Sequence, residues 1–221
     1  MQPKVFLVDD DAAIRDALSL LLSLKGIPSR AYSSAEEFLR EYQDDQRGCV
    51  LTDLRMPGLS GLDLHRALQQ RGATLPVVVL TAYGDVGTAR LALKSGAFDF
   101  LEKPVDDALL VDVLNNAISY DARVHVDAQR RSLTLERVAR LTAREREVLE
   151  FLARGLQNRE IAAALQISPR TVEVYKARMM EKLDCRTLAD VVRIGMSLQD
   201  ASASRAAGTD EPASGGPSPG D

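Results

Sequence analysis

No part of this chain approaches the roughly 18 consecutive apolar residues that a membrane helix needs. The longest candidate, Ala17 to Leu24, is short and broken by Ser19 and Ser23, so no membrane span is expected. Cysteine is scarce as well. Cys49 and Cys185 lie far apart in sequence, in what read as separate domains. That excludes a disulfide framework and argues against thiolate metal ligation, and it fits free thiols in a reducing cytoplasm. Met1-Gln2-Pro3-Lys4 leads directly into an apolar run, so no signal peptide is expected. There is no internal repeat. From Ala201 to Asp221 bulky apolar residues are almost missing, and Ala, Ser, Gly and Pro dominate. Such a tail buries too little surface to offset the entropy of ordering and is expected to be disordered.

What the chain does have is four short apolar runs, each ending in a residue that can act on a phosphate. Val5-Phe6-Leu7-Val8 leads to Asp9, Asp10 and Asp11; Cys49-Val50-Leu51-Thr52 leads to Asp53. Val77-Val78-Val79-Leu80 leads to Thr81, and Phe98-Asp99-Phe100-Leu101 leads to Lys103. Short runs of this composition read as buried parallel strands. A weaker strand, Ile27 to Tyr32, belongs at a sheet edge because of Pro28. Helical patterns alternate with the strands: Ala12 to Leu24, Ser34 to Tyr42, Leu62 to Gln70, Gly87 to Ser95, and a fifth capped by Asp106 that carries Leu109, Leu110, Val113, Leu114 and Ile118. The spacing predicts five β-α units in residues 1–120, an α/β flavodoxin-like sandwich with a parallel sheet.

In such a sheet the strand C-termini share one edge, where ligands bind. Clustered carboxylates there need a counter-charge, and Mg²⁺ (or Mn²⁺) suits an all-oxygen site. Taken singly, Asp11 reads as a helix cap, Thr81 as a strand-to-loop step and Lys103-Pro104 as an exposed turn. Taken together, at the β-α period, they predict a phosphoryl site with Asp53 as nucleophile.

Val8-Asp9-Asp10-Asp11, Asp53-Leu54-Arg55-Met56-Pro57-Gly58 with Gly61, Thr81-Ala82 and Lys103-Pro104 make this half similar to a response-regulator receiver domain. The resemblance implies that Asp53 accepts phosphate from a sensor histidine kinase. It implies that Asp9, Asp10, Asp53 and the Arg55 backbone carbonyl hold the metal. Thr81 and Lys103 would bind phosphoryl oxygens, Phe100 would be the aromatic switch, and the bond before Pro104 would be cis. Arg55 and Tyr83 occupy the two variable positions on the path of attacking water, and so bear on the lifetime of the phosphoryl group. The resemblance also implies dimerisation through the face of the fourth helix and fifth strand, and no enzymatic turnover beyond autophosphorylation from small donors and slow autodephosphorylation.

Charge separates the halves. Residues 1–120 carry 12 Lys and Arg against 17 Asp and Glu, whereas residues 138–200 carry 11 against 9. Between them, residues 121–137 are polar and read as a linker, one that a helix could continue through. Residues 138–200 read as all helix. Thr142-Ala143-Arg144-Glu145 is a capping box, Gly155 a stop, and Ser168-Pro169 a cap followed by an N1 proline. Two short helices joined by a tight turn, the second (Pro169 to Leu183) presenting basic residues, predict a helix-turn-helix. Leu141-Thr142, Arg144-Glu145, Glu147-Val148-Leu149, Gly155, Asn158, Glu160-Ile161-Ala162, Ile167 to Glu173 and Lys182-Leu183 resemble the LuxR-type domain, in its FixJ-type branch. By that resemblance Glu173, Val174 and Ala177 would face base edges in the major groove, and Arg170, Thr171, Lys176, Arg178 and Lys182 would hold phosphates. Tyr175 stands where that family commonly has His, and contact and packing roles are both open. Together the halves predict a DNA-binding regulator, dimeric on phosphorylation, working with RNA polymerase. The alternatives are an aspartyl-nucleophile phosphohydrolase and a receiver whose helical module binds protein.

Overall fold

Alternate residues of each strand feed opposite faces of one sheet. In β1 (Lys4–Val8), β3 (Gly48–Asp53) and β4 (Val77–Thr81), the side chains of Phe6, Val8, Val50, Val77 and Val79 enter one apolar cluster. Val5, Leu7, Cys49, Leu51, Val78 and Leu80 enter the other. A sheet buried on both faces is what parallel strands require. The computed structural model describes residues 2–82 and 94–207, with side chains to residue 199. Two edge strands, β2 (Ser29–Tyr32) and β5 (Asp99–Glu102), complete five parallel strands in the order β2-β1-β3-β4-β5. This is the flavodoxin-like order expected from the sequence.

Helices cover both faces. On α1 (Ala12–Leu24), the Asp11 carboxylate accepts the Ala13 and Ile14 N–H groups, so Asp11 is a cap as expected. Ser34 caps α2 (Ala35–Glu41), and Ser60 and Asp63 form a capping box on α3 (Gly61–Gln70). The expected helix at Gly87 to Ser95 falls largely outside the described residues, as does Tyr83. Asp106 caps α4 (Asp107–Ala139). That helix takes in the whole of 121–137, so the polar segment is helical. The chain divides into compact units at 128/129, within the expected 121–137 linker, and Asp121 is buried in the first unit.

In the second unit α5 (Ala143–Ala153), α6 (Asn158–Leu165), α7 (Pro169–Leu183) and α8 (Leu188–Ala207) follow in turn. Leu141, Val148, Leu149, Leu152, Ile161, Val172, Met179, Leu183 and Val191 form their common core. The backbone of α8 remains helical past Ala201 to Ala207, which corrects the expected start of the disordered tail. Residues beyond Ala207 lie outside the described ones.

Candidate functional site

Register places the acidic residues. Val8 pairs with Thr52 across β1 and β3, so the next residues, Asp9 and Asp53, emerge side by side. Asp53 pairs with Leu80 on β4, and Thr81 pairs with Glu102 on β5. Thr81 and Lys103 therefore leave their strands at the same edge, joined by a 2.7 Å bond from the Lys103 N–H to the Thr81 carbonyl. The Lys103-Pro104 bond is cis, as expected.

The centre of the site is one ammonium. Lys103 Nζ lies 2.9 Å from Asp9 Oδ2 and 2.8 Å from Asp53 Oδ1. Burial alone would pull the Lys103 pKa down. Its hydrogen bonds to Asp53 and Asp9, and their charges, outweigh that and hold it above the usual lysine value. Lys103 therefore stays charged over the physiological range. The remaining carboxylate oxygens are occupied by backbone: Asp9 Oδ1 accepts the Asp11 N–H at 2.9 Å, and Asp53 Oδ2 accepts the Arg55 N–H at 2.6 Å.

Three supports surround these groups, and of them only Gly61 belonged to a motif read from the sequence. Arg15 on α1 donates to the Asp9 carbonyl at 2.7 Å. Glu36 on α2 accepts the Leu59 N–H at 2.8 Å, steadying the loop after Asp53. A Cβ at Gly61 would sit 2.4 Å from the Asp53 carbonyl oxygen, so only glycine lets α3 start directly beneath the acceptor.

The expected metal set is only partly gathered. Asp9 and Asp53 converge, while Asp10 stands exposed at the rim. Among the described residues no group of three or more His, Cys, Asp or Glu side chains is arranged to hold a metal ion. Mg²⁺ needs only one or two carboxylates, with waters and phosphate oxygens completing its shell. The hard-oxygen pair therefore fits that ion, with Asp10 peripheral. Thr81 is buried at the end of β4. Phe100, paired with Val79, is half-buried against the cluster that contains Val79.

In the second unit α7 begins at Ser168, whose hydroxyl accepts the Thr171 N–H at 3.0 Å. Val172, Met179 and Leu183 point into the core, and Tyr175, partly buried, packs against it. Arg170, Val174, Ala177 and Arg178 are exposed on the other side. Neither Arg170 nor Arg178 has an ion-pair or hydrogen-bond partner among the described residues, so both guanidiniums are available.

Lys182 is placed differently from expectation. Its ammonium closes on both oxygens of the buried Glu145, at 3.0 and 2.7 Å. Burial would raise the Glu145 pKa, but bonds from Lys182 and from Thr142 lower it below the usual value. One carboxylate thus both completes the α5 capping box and anchors α7. Glu173 and Lys176 are also held: Glu173 accepts from the Asn158 side chain on α6, and Lys176 donates to Asn158 Oδ1 at 3.1 Å.

Known proteins match both units. Residues 5–115 match the response regulator receiver domain, and residues 139–194 match the bacterial regulatory proteins of the luxR family. The transcriptional regulatory protein FixJ of Azorhizobium caulinodans is 44% identical over 192 residues, 87% of this chain and 91% of that protein. The tetrathionate response regulatory protein TtrR of Salmonella typhimurium is 41% identical over 86% of this chain and 90% of its own length. Among solved structures, the response regulator StyR aligns with a TM-score of 0.77 at 35% identity, covering 88% of this chain and 98% of that one. Full-length FixJ from B. japonicum aligns at 0.55 and 38% identity, covering 89% and 97%. The parallel five-stranded unit followed by a helical unit agrees with these matches, and the chain belongs to the FixJ-type DNA-binding response regulators, with a receiver domain followed by a LuxR-type helix-turn-helix domain.

Proposed function

We propose that Asp53 accepts a phosphoryl group from a sensor histidine kinase, and that the phosphorylated chain dimerises and reads promoter DNA through α7 in concert with RNA polymerase. The observation that carries this reading is the Lys103 ammonium shared between Asp53 and Asp9. In the transfer an Asp53 carboxylate oxygen forms a bond to phosphorus as the donor's bond to phosphorus breaks. Lys103 is within reach of the acceptor oxygen and follows the charge onto the new phosphoryl oxygens. Asp9 and Asp53, with Asp10 and the Arg55 carbonyl at the rim, would hold Mg²⁺ or Mn²⁺, which supplies further neutralisation of those oxygens.

Thr81, at the neighbouring strand end, donates its hydroxyl to the dianion, and Phe100 repacks into the space that this opens. Asp53 is consumed in the step, so the protein is a stoichiometric acceptor and does not turn over. Arg55, two residues beyond the acceptor, shields the product from water, and a phospho-protein half-life of seconds would contradict that role. On DNA, Val174 and Ala177 face bases, while Arg170, Thr171 and Arg178 hold phosphates. Lys176 and Lys182 are tethered within the unit and must leave their partners to do the same. Such a regulator works in the cytoplasm, and no described helix is long and apolar enough to cross a membrane.

The test uses the full chain, acetyl phosphate and Mg²⁺. Wild type should take up one phosphoryl group, shift from monomer to dimer and bind a duplex selected from a random library more tightly. Asp53→Asn should do none of these, and an equal response from both chains refutes the reading. If no sequence is selected, a protein-binding role for the helical unit replaces the DNA-reading one.

A further inference from the structure

Along α4 the residues facing the sheet are Leu110, Val113, Leu114, Ala117 and Asp121. The spacing is that of a continuous apolar stripe, and its final position is a carboxylate. Asp121 is 1% exposed. Its Oδ2 accepts the Gly48 N–H at 3.0 Å and pairs with Arg47 Nη2 at 3.0 Å. Arg47 also donates to the Asp121 backbone carbonyl at 2.8 Å. Oδ1 has no hydrogen-bond partner. Burial raises the Asp121 pKa, against the lowering effects of the Gly48 N–H, Arg47 and His125.

This is a costly way to finish a stripe. A buried ion pair with an unsatisfied oxygen is commonly no more stable than a well-packed pair of apolar residues in its place. What it adds is direction: a leucine can slide or rotate against its neighbours, whereas a carboxylate bonded to a particular N–H cannot. The bonded position is also particular. Gly48 has φ +126°, and a Cβ there would lie 1.9 Å from the Lys4 carbonyl oxygen, so this backbone is packed against β1 without slack. Gly48 opens β3, and Asp53 closes it. The helix so fastened is the only covalent route from the first unit to the second.

We infer that Asp121 is the positioning residue that fixes the register of α4 against the root of β3, so that a change at Asp53 on the far end of that strand is delivered to the DNA-binding unit. The inference rests on the proposed phosphorylation switch and names the point where its signal leaves the receiver. Asp121 touches neither phosphate nor DNA. Its substitution should therefore leave phosphoryl uptake and unphosphorylated DNA affinity unchanged.

The experiment compares wild type, Asp121→Leu and Asp121→Asn as full chains. Each is measured for thermal midpoint, for phosphoryl uptake from acetyl phosphate with Mg²⁺, and for the ratio of DNA affinities with and without phosphorylation, on a duplex selected by the phosphorylated wild type. Leu keeps most of the packing but leaves Arg47 and the Gly48 N–H without their carboxylate, so that chain should melt lower than wild type and, at temperatures where it is folded, take up phosphate normally. Its affinity ratio should fall by about fivefold or more, the lower end of ordinary coupling energies. Asn keeps an acceptor for the Gly48 N–H and should retain most of the ratio, a rescue that packing alone does not give. A wild-type ratio in Asp121→Leu overturns the inference, and so does equal loss in both variants. Absence of any phosphorylation effect in wild type overturns the switch itself, and the inference with it.

Discussion

Two carboxylates and one ammonium set the character of the receiver site, and for stability, as distinct from phosphoryl uptake, removing the ammonium costs more than removing either acid. In Lys103→Met, Asp9 and Asp53 would face each other across a partly buried gap with only backbone donors. Breaking a buried pair costs about 3–5 kcal/mol; partial exposure reduces that, and a loss of about 2 kcal/mol is expected in urea unfolding, together with slower phosphoryl uptake. The two cysteines offer a second check on individual residues. Cys49 is fully buried in β3, and burial pushes its pKa up to about 12. Cys185 is half-buried, and partial burial raises its thiol pKa as well. A thiol reagent at pH 8 should modify Cys185 alone in the native protein, with Cys49 reacting only after denaturation. The residues at strand ends were legible in the sequence because the β-α period brings them together. Asp121, Arg15 and Glu36 were not, since each acts on a backbone group distant in sequence and belongs to no short motif.

Elements are tied to one another by charge as well as by packing, and the clearest case joins α5 to α7. The Glu145 pKa is depressed in the folded chain. Its contribution to stability is therefore present above its unfolded value, near 4.5, and is lost as the pH falls through the lower folded value. Acid unfolding of Glu145→Gln should show a weaker pH dependence below 4.5 than wild type. At neutral pH it should be less stable by about 1–2 kcal/mol, from the loss of a charge-assisted bond and part of a cap. In the receiver, Gly61→Ala should displace the start of α3 or the Asp53 carbonyl, costing about 1–3 kcal/mol, and slow phosphoryl uptake beyond what lower stability explains. The capping boxes at Thr142 and Ser60 are local patterns: the first was read from sequence, and both formed. The second use of Glu145 was hidden because Lys182 reads equally well as a solvent-facing phosphate contact until α5 is folded beside it.

For the whole molecule, the division at 128/129 matters more than the change of composition near residue 120. Polar sequence suggested a linker, but a helix with one buried stripe can be polar on most of its surface, and that stripe extends to Asp121. Each unit has its own core. A fragment of residues 1–128 should fold alone and accept phosphate at Asp53, and calorimetry of the full chain should resolve two transitions. A single cooperative transition, with neither fragment folded, would contradict that independence.

The residues that anchor α7 in its unit and the ones proposed to face base edges are separate sets. Val172, Met179, Leu183, Lys176 and Lys182 face or grip the scaffold, while Arg170, Val174, Ala177 and Arg178 are exposed. On the proposed orientation, drift at Val174 or Ala177 rewrites the preferred operator at almost no structural cost. A duplicated copy of this gene is thus a short mutational walk from governing a different set of promoters, with its phosphorylation apparatus untouched.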